Sequence, residues 1–204
     1  LVGSEMCIRD RFFFLFGFFL YCTGLYWLYI SIHTVSGAPK ALAILLIALL
    51  SVYLSIFHSI FGLVFVKLHK RIRSEWISLL LVTPPLWMLL EVFRGYFLTG
   101  FPWLSLGYME SGSLISSWAP IGGVYLVSMI MAMISSGILL IFLKKRLLGS
   151  SIVTILIISS YILGTVDWTS RSNESSYKVA LVQGNIQQDK KWLRSEFENT
   201  LTQY

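Results

Sequence analysis

Five stretches of this 204-residue chain are long and almost free of charge, and they limit its possible folds more than any other feature. They run from Phe12 to Ile30, Ala41 to Val66, Trp76 to Leu98, Ile121 to Leu143 and Leu147 to Val166. A helix crosses the hydrocarbon core of a bilayer in about 20 apolar residues. Only 13% of the residues are charged and 56% are hydrophobic. An ordinary globular chain carries about a quarter charged residues. Half that level is too little to coat a soluble surface, so most of the chain must face lipid. The fold expected is an α-helical polytopic membrane bundle with five transmembrane helices over 12–30, 41–66, 76–98, 121–143 and 147–166. Two cysteines, Cys7 and Cys22, exclude a disulfide scaffold. The net charge is +6, but no basic patch with interleaved aromatics is present, so no nucleic-acid partner is expected.

Within that pattern Pro84 and Pro85 remove two backbone donors from the third stretch and predict a kink there. Stretches four and five are separated only by Lys144, Lys145 and Arg146, the mark of a tight helical hairpin. The basic residues set the orientation. Arg9, Arg11, Lys67, Lys70, Arg71, Arg73, Lys144, Lys145 and Arg146 fall on the N-terminal side of the five spans; Lys40 falls opposite, with Arg94 at the membrane edge. Cytoplasmic loops carry the excess of Lys and Arg. The N-terminus is therefore expected in the cytoplasm and the C-terminal segment on the exported side. Tyr26, Trp27, Tyr29, Trp76 and Trp168 occupy the positions of an interfacial aromatic belt.

After Asp167 the composition changes. Residues 168–176 are polar and serine-rich, a linker. Tyr177 to Val182 is a β-branched run that predicts a buried strand. Trp192 to Leu201 places Trp192, Phe197 and Leu201 among charges, the pattern of an amphipathic helix. Residues 177–204 are too few to bury a core alone, so they are expected to be the start of a soluble domain that is cut short. The first eleven residues, LVGSEMCIRDR, fit neither a signal peptide nor a span and are expected to be a non-native remnant.

Glu91 and Arg94 are the most informative charges. An ionisable group in a span is costly and marks function by default. Their i,i+3 spacing allows them to pair on one helix face. Two readings stay open: a self-neutralising pair that orients the following loop, or a lipid contact. That loop, Thr99-Gly100-Phe101-Pro102-Trp103 and then Leu106-Gly107-Tyr108, is aromatic and carries no cation, so it suits an acyl chain or headgroup. His33, His58 and His69 are too scattered for a metal site. Cys22 has no nearby base. The pairs Ser135-Ser136 and Ser159-Ser160 suit helix packing. Glu196 and Glu198 sit on a solvated helix. No phosphate loop, Ser/His/Asp set or metal cluster is present.

Two groups of motifs carry a resemblance. Glu91-Val-Phe-Arg94-Gly95, the Thr99–Trp103 segment and Leu106-Gly107-Tyr108 resemble the signature of bacterial apolipoprotein N-acyltransferases. Val182-Gln183-Gly184-Asn185-Ile186, with Gln188 and Lys191-Trp192, is similar to the first strand and turn of that family's nitrilase-like domain. Ala119-Pro120-Ile121-Gly122-Gly123 and Trp27–Ile32 match in order. The resemblance covers about Phe12 to Tyr204.

It implies an enzyme with eight spans and a periplasmic αββα carbon–nitrogen hydrolase domain. Residues 12–167 would supply helices three to seven, and residues 177–204 the start of that domain. It implies residence in the bacterial inner membrane. The partners implied are a phospholipid acyl donor and an apolipoprotein acceptor. The chemistry implied is a Glu–Lys–Cys triad, whose thiolate takes the acyl chain as a thioester and yields it to the amine of diacylglyceryl-cysteine. No metal or organic cofactor is implied. All three triad positions lie beyond Tyr204, so no catalytic residue is assigned in this chain. Substrate-binding residues are expected at Trp192, Phe101, Pro102 and Trp103. For Trp192 a simple role anchoring an amphipathic helix is equally open. Other readings are a membrane-anchored nitrilase-like acyltransferase or amidase with another acceptor, and a non-enzymatic transporter or scaffold. A transporter should show broken or charged helices at midmembrane, often as paired repeats.

Overall fold

The computed structural model describes residues 2–169, 178–187, 191 and 193–203, with side chains from residue 11 to 202. Among these the chain is helical. Helix α1 spans Val2–Gly24, α2 Lys40–Ile72, α3 Glu75–Ile77, α4 Thr83–Tyr96, α5 Ala119–Phe142, α6 Arg146–Gly164 and α7 Phe197–Gln203. Four segments are long and apolar enough to cross a membrane: Lys40–Ile72, Glu75–Thr99, Leu114–Phe142 and Arg146–Gly164.

These four segments correspond to the second to fifth of the expected stretches. The first expected stretch lies on α1 as far as Gly24. After Gly24 the winding tightens: Leu28 N donates to Leu25 O (3.0 Å), Tyr29 N to Tyr26 O (3.0 Å) and Ile30 N to Trp27 O (3.1 Å). It then loosens into a π-helix at Ile30–Val35. An apolar run specifies what lipid or core will accept, but not where the hydrogen-bond register changes. The break falls where Leu104 packs onto Gly24, against the place a β-carbon would occupy.

Helix α2 runs six residues beyond the expected Val66. Its last turn carries His69, Lys70 and Arg71, which complement the negative end of the helix dipole, and Arg73 closes it in the left-handed conformation (φ 56°). Distortion accompanies the Pro84-Pro85 pair, as expected, but it lies just before them. Ser78–Val82 is a π-helix, and the prolines open α4, where their missing N–H groups cost least. The segment is tied by Thr83 Oγ1 donating to Ser78 O (3.1 Å) and by His69 Nδ1 lying 2.8 Å from Ser78 Oγ.

The core joins α1, α2 and α4 through Tyr21, Leu25, Leu54, Phe57, Phe61 and Leu90. The expected hairpin forms between α5 and α6. A β-carbon on Gly149 would strike the carbonyl of Gly137, so the two backbones touch there. Helix α5 is itself bent at Gly122-Gly123, where Gly123 has φ 65°. At the other end of the hairpin Trp118 Nε1 donates to Ser160 Oγ (2.8 Å) and Ser117 Oγ to Ser160 O (2.7 Å).

The strand expected over Tyr177–Val182 is not formed at 178–182; Tyr177 lies outside the described residues. Val179, Leu181 and Val182 are exposed. A β-branched run becomes a strand only against a neighbour, and no partner strand exists among the described residues. The amphipathic helix expected over Trp192–Leu201 is shorter, a 3-10 turn at Arg194–Glu196 followed by α7.

Substituting Gly149 with leucine is expected to destabilise the hairpin by about 2 kcal/mol through overpacking. Gly164→Ala should change nothing, because its β-carbon would meet only Ser117 Cβ, at 3.9 Å. Unfolding in mixed detergent micelles measures both variants, and equal stabilities would refute the close approach.

Candidate functional site

The site grows from the C-terminal end of α4. Helical winding puts Trp87, Glu91 and Arg94 along one face, turned inward, and Glu91 and Arg94 are each only 2% exposed. A charge so buried must be given partners. The segment after α4 supplies them by folding back. Arg94 Nη1 donates to the carbonyl oxygens of Phe101 (3.0 Å) and Trp103, and Nη2 donates to Ser105 Oγ (3.0 Å). Ser105 in turn donates to Pro102 O (2.9 Å). Glu91 Oε1 accepts from Leu106 N (2.8 Å) and from Trp87 Nε1 (2.9 Å). The next residue, Gly107, donates its N–H to Ser128 Oγ on α5 (2.8 Å).

The expected direct pairing of Glu91 with Arg94 is thus replaced. Neither closes on the other; each holds a different part of the same loop, and the loop lies between two opposite charges. The forked guanidinium reaches several acceptors at once, which a carboxylate one helical turn away cannot offer. The Arg94 guanidinium also lies 5.7 Å from the centre of the Tyr21 ring.

The loop pays in backbone strain for this geometry. Leu98 (φ 48°), Thr99 (φ 74°) and Leu104 (φ 60°) are left-handed residues without the freedom of glycine. Such residues cost about 1–3 kcal/mol each and persist only where surroundings over-determine them. Gly100 (φ 84°) has no alternative, because a β-carbon there would collide with the carbonyl of Gly95.

The structure brings Phe101 and Trp103 together edge-to-face, with ring centres 5.0 Å apart, and Trp27 adds a third ring 6.0 Å from Trp103. Trp103 remains half exposed, and Tyr108 and Met109 extend the apolar rim. Pro102 contributes its carbonyl to the turn. Trp192 lies outside the described residues. Sequence reasoning missed Trp87, Ser105, Ser128 and Tyr21. The i−4 spacing of Trp87 from Glu91 would have found it; nothing in the sequence marks Ser105 or Ser128 apart from other serines. Of the three histidines, His33 Nδ1 lies 2.7 Å from Ala38 O and His58 is ringed by Phe16, Tyr21 and Trp87.

Four apolar helices and a loop clamped by two buried charges define a multi-pass membrane protein with a site at the C-terminal end of α4. A family model described as the apolipoprotein N-acyltransferase N-terminal domain matches residues 8–137. The chain belongs to that family. Curated relatives of the same name include those of Vibrio cholerae, 34% identical over 192 residues, and Coxiella burnetii, 38% identical over 194 residues. A third, from Pseudomonas putida, is 33% identical over 194 residues. These alignments cover 94%, 93% and 93% of this chain and 37%, 40% and 38% of the relatives. The chain therefore spans about two fifths of their length.

Arg94→Met is expected to cost about 3–5 kcal/mol, since it leaves the Glu91 charge buried without balance. Arg94→Lys should recover less than half, because an ammonium cannot reproduce the fork. Glu91→Gln keeps an oxygen that accepts from Leu106 N and Trp87 Nε1 but leaves the guanidinium unbalanced, so it should destabilise too, by less than Arg94→Met. Denaturation in detergent and protease cutting within 97–118 measure the order; a lysine variant equal to wild type would disprove the clamp.

Proposed function

We infer that this chain forms the membrane-embedded part of an enzyme that moves an acyl chain from a phospholipid to the terminal amine of diacylglyceryl-cysteine on apolipoproteins. The observation that carries the reading is the Glu91–Arg94 clamp: the residues by which the chain resembles the family are the ones that fix the aromatic loop. Chance similarity of apolar helices would give no reason for a buried arginine to hold that loop.

In this reading Phe101, Pro102 and Trp103 form an apolar lip at the lipid entrance, and Trp192 is assigned a part in substrate binding. Glu91 and Arg94 are positioning residues that hold the lip and touch no reacting atom. The chemistry is acyl transfer through a thioester: the cysteine thiolate attacks the lipid ester, the lyso-lipid alcohol leaves, and the acceptor amine then displaces the thiol. In this reading none of residues 1–204 is assigned as the cysteine, its general-base Glu or the oxyanion-stabilising Lys.

The membrane is the bacterial inner membrane. In this reading the loops at 67–73 and 144–146 face the cytoplasm and the loop at 99–118 and the segment after Trp168 face the periplasm; the distribution of Lys and Arg supports that orientation. A cysteine placed at Lys70 is then expected to resist a membrane-impermeant maleimide in intact cells, while one placed at Gly112 reacts. Labelling of position 70 would reverse the orientation.

The 204-residue chain by itself is expected to form no acyl-enzyme from radiolabelled phosphatidylethanolamine. A thioester-labelled band on Cys7 or Cys22 would overturn this assignment of the chemistry.

A further inference from the structure

The charge of this chain is gathered in one place. Segments 67–76 and 144–146 carry seven Lys and Arg and one acid, Glu75, an excess equal to the formal +6 of the whole chain. All seven basic residues are exposed, and among the described residues none of them is in an ion pair. Orienting a chain in a membrane needs only a count of cations on one side. Here the fold also draws the two segments together. Helix α3 leads from the end of α2 into the π-helical turn Ser78–Val82, which packs against both α2 and α5. His69 Nδ1 on α2 lies 2.8 Å from Ser78 Oγ. Lys145 Nζ lies 6.0 Å from the centre of the Trp76 ring, a cation–π contact that ties the α5–α6 turn to the segment after α2.

Local preferences do not account for the whole cluster. Arg73 (φ 56°) and Lys144 (φ 63°) close α2 and α5 as left-handed residues, a conformation that glycine adopts more cheaply. Arg146 opens α6, whose first turn holds no acid, so the positive end of that helix opposes its charge. Like charges drawn together repel, and an anion placed among them relieves the repulsion. Beside them Leu68, Trp76 and Leu147 are exposed and apolar. A soluble anion makes no use of such a border. A phospholipid does, because it brings a phosphate for the cations and acyl chains for the apolar side chains.

We propose that the end of α2, α3 and the α5–α6 turn together form a headgroup site for an anionic phospholipid of the phosphatidylglycerol type. Arg73 and Lys145, on either side of Trp76, hold the phosphodiester, and the acyl chains descend past Trp76 and Leu147. Phosphatidylethanolamine is disfavoured, since its own ammonium would enter among seven cations. The site lies at the opposite ends of α4 and α5 from the clamped loop. A lipid held there braces α2 against the hairpin and is not the acyl donor, so the inference stands apart from the proposed acyl transfer.

The test is native mass spectrometry of the 204-residue chain in detergent, titrated with phosphatidylglycerol or phosphatidylethanolamine. Phosphatidylglycerol should bind about tenfold more tightly, and its advantage should shrink as salt rises. Arg73→Asn, which tolerates the left-handed backbone, and Lys145→Gln should each lose about fivefold, the effect of one basic residue near an anionic surface. Lys145→Arg keeps the charge and the ring contact and should bind as wild type, which separates loss of charge from misfolding. Lys40→Gln removes a cation at the other end of α2 and should also leave binding unchanged. Equal affinity for the two lipids, or losses at Arg73 and Lys145 no larger than at Lys40, would overturn the site. Displacement of the lipid by an equal concentration of glycerol 3-phosphate would show a site for soluble anions and overturn its assignment to a lipid. The measurement needs no catalysis, so its outcome is independent of whether the full enzyme acylates lipoproteins.

Discussion

A guanidinium cannot be sealed away from water unless acceptors are brought to it. The folding of residues 97–118 answers that constraint. Arg94 is buried because α4 turns it inward, and the loop must then deliver two carbonyls and a hydroxyl to one point. This forces the reversal at Leu98–Gly100 and sets the left-handed residues in place. Glu91 fixes the next peptide, and Gly107 then seats the loop on α5, where no side chain would fit against Val124 O. Balanced opposite charges with hydrogen-bonded partners are the condition under which ionic groups survive burial. The edge-to-face contact of Phe101 and Trp103 follows from this one arrangement.

The parts of the fold legible in the sequence are those set by composition and local chemistry. Apolar length located α2, the α5–α6 hairpin and the region of α4. The proline pair marked the irregular turn, because a missing N–H has a local consequence. The glycines at 137 and 149 became meaningful only when the hairpin was closed. What the sequence hid are changes of register inside apolar segments, such as the tightening after Gly24. Leucine and phenylalanine are equally content in α, 3-10 and π winding when lipid or core surrounds them. The run at 178–182 illustrates the opposite error: its residues suit a strand, but a strand is a property of two segments.

The site was half legible. Glu91 and Arg94 stood out because charge is rare in such a chain, and the loop stood out by its aromatics. Their i,i+3 spacing left both a direct pair and a lipid contact open, because a loop folding back over eleven residues is not visible in a sequence. Ser105 and Ser128 gave no sign, because serine is common here and mostly returns its hydroxyl to its own helix, as Ser55, Ser135 and Ser160 do. Sequence singles out a group that is costly to bury but does not identify the inexpensive groups that satisfy it.

Helix α2 has a mechanical consequence. Its 33 residues extend roughly 50 Å, against a hydrocarbon core of about 30 Å. Such a helix must lean, project from the bilayer, or thicken the lipid around it, and its inclination then depends on membrane thickness. The same helix carries Phe57 and His58, and His58 packs against Tyr21, the ring beside the Arg94 guanidinium. Through His58 and Tyr21 the longest helix of the bundle is thus in contact with the residues that hold the loop.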